Sequence, residues 1–185
     1  MTAFALRLCF ADPARDAADY GGERVTFVLE ADDVTDALDR WLHRATEKGA
    51  TLHVVEEARA VEEGALSDLV AAAREGGIAA GASYGYPPLD PPRGVFFGLA
   101  EIDGAVTEVA AKAADAGAAV RAVLAACAEE RRALTSLEGF CDLSQATEEA
   151  TFDGTALTVA ALGLGMSAAG TVQFGAAYEG DESDG

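Results

Sequence analysis

Residues 24–57 read RVTFVLEADDVTDALDRWLHRATEKGATLHVVEE, and this stretch decides the fold. Arg24 to Ala31 is rich in β-branched and aromatic residues, which pack well on a pleated surface, and predicts a strand. Asp32-Asp33 follows as a helix N-cap signal, because carboxylates accept the free N–H groups there and oppose the helix dipole. Val34, Ala37, Leu38, Trp41, Leu42 and Ala45 then recur at helical spacing and form one apolar stripe. Gly49 ends the helix, and Ala50 to Glu56 returns as a strand. The unit is β-α-β, with the stripe laid on one sheet face.

Upstream, Phe4, Leu6, Leu8 and Phe10 alternate, so Ala3 to Phe10 reads as a strand with one buried face. Residues 11–22 read as a loop. Downstream, Val61 to Glu75 reads as a second helix closed by Gly76-Gly77. Gly81 to Gly94 (GASYGYPPLDPPRG) holds four of the five prolines and reads as a surface loop or a subdomain linker. Val95 to Ile102 is a strand. After it two readings compete: Asp103-Gly104 turns a hairpin into Ala105–Ala110, or Asp103 caps a helix running to about Leu134. The apolar spacing of Val106, Val109, Ala113, Val120, Val123, Leu124 and Cys127 favours the helix. Residues 135–151 look irregular. Phe152–Leu164 and Thr171–Tyr178 read as strands joined through Gly163–Gly170, and 180–185 as a disordered acidic tail.

The predicted order is β-β-α-β-α-loop-β-α-β-β. That is an α+β fold with a mixed, largely antiparallel sheet and helices packed on one face. Residues 1–179 are expected to form one domain, with 81–94 as the place where it would divide.

The 185 residues carry 13 Lys and Arg against 32 Asp and Glu, a formal net charge of −19. Half of the chain is apolar, so the charge sits on a folded protein and not on a disordered polyanion. About a quarter of the chain is alanine, which buries little area, so the effective core is smaller than that half suggests. Phosphate neutralisation needs clustered cations, and here only Lys48 and Lys112 are lysines, with Arg131-Arg132 the one adjacent arginine pair. Nucleic acid and anionic membranes are therefore excluded as expected partners. The longest apolar run, near 156–169, is too short to span a bilayer, and the first residues lack a basic, apolar leader. The expected location is cytoplasmic.

Candidate chemistry is thin. Gly163, Gly165 and Gly170 do not fit a dinucleotide fingerprint, because Ala168 stands where the third glycine belongs. His43 and His53 would need Glu56 or Glu57 beside them to hold a metal, and no HxH or HxxxH spacing supports that. Cys9, Cys127 and Cys141 are far apart and read as small buried hydrophobes, with Cys141 the least clearly structural. No acidic cluster matches a calcium loop. No catalytic residue, metal or cofactor is expected.

Two features point to binding. Tyr84, Tyr86 and Arg93 lie on the proline-stiffened stretch, where aromatics present contact area at low entropic cost. Asp32, Asp33 and Asp36 open the amphipathic helix. The resulting expectation is a non-catalytic acidic binding or regulatory protein, of the inhibitor or immunity type, whose partner is a basic protein steered in by charge. The alternatives are a small enzyme or ligand-binding domain with a pocket near His53 and Cys141, or a self-assembling structural protein, a homodimer by default, whose acidity adapts it to salt.

Overall fold

The computed structural model describes residues 1–13, 21–145, 151–152, 155–156, 162–163 and 165–178. In chain order the elements are β1 (Thr2–Ala11), β2 (Gly22–Ala31), α1 (Val34–Glu47), β3 (Thr51–Ala60), α2 (Ser67–Gly76), β4 (Ile78–Tyr86), β5 (Val95–Ile102), β6 (Ala105–Lys112), α3 (Ala116–Glu130) and β7 (Leu134–Asp142). A single 3-10 turn, Leu143–Gln145, follows, then β8 (Thr151–Phe152), β9 (Thr155–Ala156) and β10 (Val172–Tyr178). The fold is α+β, and eight strands make one sheet in the order β10-β6-β5-β7-β3-β1-β2-β4. Every neighbouring pair is antiparallel.

That order contains a repeat. β1 and β2 form a hairpin, α1 follows, β3 returns beside β1, and β4 closes beside β2. β5, β6, α3, β7 and β10 repeat the same path, and the halves join through β3 and β7. The caps repeat as well: Asp33 accepts from Asp36 N ahead of α1, and Asp115 accepts from Ala118 N ahead of α3. Antiparallel pairing of β3 with β7 relates the halves by a pseudo-twofold axis through the sheet, close to the Glu57–Glu138 pair.

α1 and α3 cover one sheet face, and Arg121 of α3 donates to Thr46 Oγ1 of α1 at 3.0 Å. Their shared core runs from Phe4, Leu6 and Leu8 through Leu38 and Val55 to Val123, Leu137 and Phe140, so it draws on both halves. The expected placement of helices on one face holds for these two. The short α2 lies on the opposite face, where Ala73 packs with Val28 and Ala79. In the second half Leu143, Leu162 and Met166 cover the matching region over Val95 and Ala110.

Several expectations need correction. The helix from Ala105 to Leu134 is instead a hairpin and a shorter helix. Asp103 and Gly104 both have positive φ (54° and 82°), as a two-residue turn of the I′ type requires, and Ile102 pairs with Ala105. The irregular stretch after Leu134 is the strand β7. Finally, 81–86 is not loop but the second part of β4, an edge strand where glycine costs no internal ladder. Of Phe152–Leu164, Phe152 pairs with Thr155 while Leu162 and Gly163 are helical, so no single strand runs through them. The remainder of that stretch, and the tail 180–185, lie outside the described residues.

Residues 87–94 have a geometric task. They leave β4 at one edge and reach β5, five strands away, a distance of roughly 24 Å at about 4.8 Å per strand. Extended polyproline geometry gives about 3.1 Å per residue, so these eight residues are stretched almost fully. Pro87, Pro88, Pro91 and Pro92 hold that conformation at low entropic cost. The strap is pinned where Gly94 N donates to Asp142 Oδ2 at 2.9 Å and Gln145 Nε2 donates to Asp90 O at 2.8 Å.

Candidate functional site: the open sheet face

The two central strands carry the key irregularities. Leu52, Val55 and Ala58 of β3 all face the core although they lie three residues apart. Leu134, Leu137 and Phe140 of β7 do the same. In a regular strand every second residue shares a face, so each strand contains two bulges. On β3 the extra residues are His53 and Glu56, which have no Cα partner on β1. On β7 the bulge at Gly139 (φ 58°) is possible because Gly98 opposite has no side chain; a Cβ there would meet Glu138 O at 2.7 Å.

These bulges set what the face opposite α1 and α3 presents. In the first half its charges are paired. Arg7 reaches Glu57 at 3.3 Å, Arg59 reaches the same carboxylate at 2.6 Å, and Arg24 reaches Glu56 at 2.6 Å. In the second half the equivalent positions differ. Leu99 stands opposite Glu138 as Arg7 stands opposite Glu57. Val106 lies opposite Glu101, and Tyr178 opposite Val106. Leu99, Val106 and Tyr178 are 42%, 40% and 44% exposed. Glu101 and Glu138 make no ion pair among the described residues. Among the described residues the result is an apolar strip flanked by Glu101 and Glu138, with Tyr178 Oη donating to Glu108 Oε1 at 3.2 Å.

The residues singled out from sequence fall elsewhere and do not form one site. Tyr84 is exposed on β4 opposite Arg24, and Tyr86 pairs with Gly22 at the same end of the sheet. Asp32 and Asp33 follow the far end of β2, nine strand steps and roughly 30 Å away. Asp33 and Asp36 are occupied at the start of α1, where Asp33 caps and Asp36 pairs with Arg40 at 3.7 Å. Arg93 is exposed on the strap.

His53 is the bulged residue of β3, and its Nδ1 lies 2.7 Å from Tyr86 Oη. Burial pushes its pKa below 6.5, which keeps the ring neutral at pH 7. A cavity of about 170 Å³ adjoins it, floored by Leu52 and Phe96 and roofed by Leu89–Pro92 of the strap; Cys141 does not line it. His43 is exposed on α1, 3.5 Å from Glu47. Burial raises all three thiols, Cys9 to about 11, and a neighbouring Asp142 adds to the effect at Cys141. None of them is a thiolate at neutral pH. Among the described residues no group of three or more His, Cys, Asp or Glu is placed to hold a metal ion. No helix among them is long and apolar enough to cross a membrane.

Sequence reading missed Leu99, Glu101, Val106, Glu138 and Tyr178. The signal lay in the hairpin reading of Asp103-Gly104, which places Leu99, Glu101 and Val106 on one face by alternation. No known family model, curated protein or solved structure matches this chain.

Proposed function

We propose that this protein is a non-catalytic binding protein that docks a basic protein on the open face of β7, β5, β6 and β10. One observation carries the reading. Arginines neutralise the acids in the first half of this face, whereas beside Leu99, Val106 and Tyr178 in the second half Glu101 and Glu138 make no ion pair among the described residues. Exposed apolar side chains rimmed by uncompensated charge of one sign suit a partner with apolar anchors and Lys or Arg around them. The net charge of −19 adds long-range steering of such a partner. The raised thiols and the neutral, hydrogen-bonded His53 supply no activated nucleophile, which weighs toward binding over catalysis.

The test is affinity capture from the host with the wild-type chain, with Glu101→Lys/Glu138→Lys, and with Asp68→Lys on α2 as a control. The reading expects a partner rich in Lys and Arg that the double reversal loses and the control keeps. A partner retained by the double reversal overturns it.

A further inference from the structure

A second cavity, of about 260 Å³, opens between α1 and the β1–β2–β4 edge. Its floor is aromatic. Phe10, Phe27 and Trp41 form a triangle with ring centroids 5.7, 5.7 and 5.6 Å apart. Trp41 is buried, but Phe10 and Phe27 are only half-buried, so their rings border open space. A cavity of about 150 Å³ with apolar walls holds a benzene ring, so this one has room for a substituted ring.

Arg44 and Lys48, from the end of α1, stand at its rim. They are four residues apart on one helix face, an arrangement in which like charges destabilise a helix. Elsewhere on α1 Asp36 and Arg40 use that spacing for opposite charges, and Arg40 and Arg44 are a second like-charged pair at it. Neither Arg44 nor Lys48 lies within ion-pair distance of a carboxylate among the described residues, in a chain with 32 of them. The helix dipole favours cations in a last turn, but it does not account for both standing over an aromatic floor. Asp12 also lines the cavity, so its lining carries two cations and one carboxylate.

We infer that this cavity binds a small planar aromatic carboxylate. The ring lies against Phe10, Phe27 and Trp41, where offset or edge-on contacts suit it. The carboxylate meets Arg44, whose planar fork can pair both oxygens, with Lys48 as a second cation. The site is separate from the open sheet face and does not depend on the reading given to that face.

Trp41 is the only tryptophan, so its fluorescence reports this cavity directly. The probes are 4-nitrobenzoate and its neutral counterpart 4-nitrobenzamide, titrated into the wild type, Arg44→Ala/Lys48→Ala and the control Arg40→Ala, with folding checked by circular dichroism. The expected result is saturable quenching by the benzoate, at least about tenfold weaker with the amide and with the double variant, and unchanged in the control. Unsaturable, collisional quenching overturns the inference. So does equal binding of the amide, or full binding by the double variant.

Discussion

Tyr86 Oη lies 2.7 Å from His53 Nδ1, so one hydrogen bond joins the edge strand β4 to the bulge of β3 across two intervening strands. The phenol reaches that far because Gly22, directly opposite Tyr86, has no side chain; a Cβ there would collide with Tyr86 Oη and Phe10 O. Tyr86→Phe is expected to cost about 1 kcal/mol in chemical denaturation, as loss of a half-buried hydrogen bond does. Gly22→Ala is expected to cost more, about 2 kcal/mol, because it displaces the ring as well as losing the bond. Equal stabilities for all three chains would show that the contact is not made.

The same histidine makes stability depend on pH in one direction. Burial holds its folded pKa below 6.5, so the unfolded chain takes up a proton at higher pH than the folded one. Its contribution is complete above about 6.5 and is lost as pH falls through the lowered folded value. Urea midpoints at pH 7.5 and 5.5 check this. Wild type is expected to lose more stability over that interval than His53→Gln, which does not titrate there.

Leu99 and Arg7 occupy equivalent places beside Glu138 and Glu57. Leu99→Arg is therefore expected to recreate on β5 the ion pair already present on β1, with a stability change within about 1 kcal/mol of zero, as for other exposed pairs. It would also remove an apolar anchor and neutralise Glu138. Thermal unfolding and partner capture on the same variant separate the two effects: the fold is retained and the partner is lost.

The thiols are expected to be slow. A group titrating at about 11 is ionised in roughly one molecule in a thousand at pH 8, and Cys9 is such a group. A disulfide exchange reagent at pH 8 should find no fast-reacting cysteine in the folded chain and three after unfolding. A burst of one equivalent from the native protein would mean an activated thiol and would favour catalysis.

The legible parts of the fold were those where local pattern and tertiary role agree. In 24–57 the strand propensity, cap, helical stripe and glycine stop all point the same way, and each element forms, with β2 starting at Gly22 and β3 running on to Ala60. Where they disagree, the pattern misleads. Leu134, Leu137 and Phe140 share a face at a spacing of three because β7 is bulged, so no period-two signal marks it as a strand. Residues 105–116 are so rich in alanine that helix and strand periods both fit; only the positive φ values at Asp103 and Gly104 separate them. The strap was visible in its prolines, but the strand leading into it was hidden by Gly81 and Gly85 at the sheet edge. The open face was not legible for a different reason. Its rows run across strands that are distant in sequence, so no local window contains Glu138, Leu99 and Val106 together.

The most direct measurement is the dissociation constant of the captured basic partner for wild type and for Glu101→Lys/Glu138→Lys, at low and at physiological salt. The account predicts a loss of about a hundredfold or more in the double reversal, and wild-type binding that weakens as salt rises. An unchanged dissociation constant, or wild-type binding indifferent to salt, would contradict it.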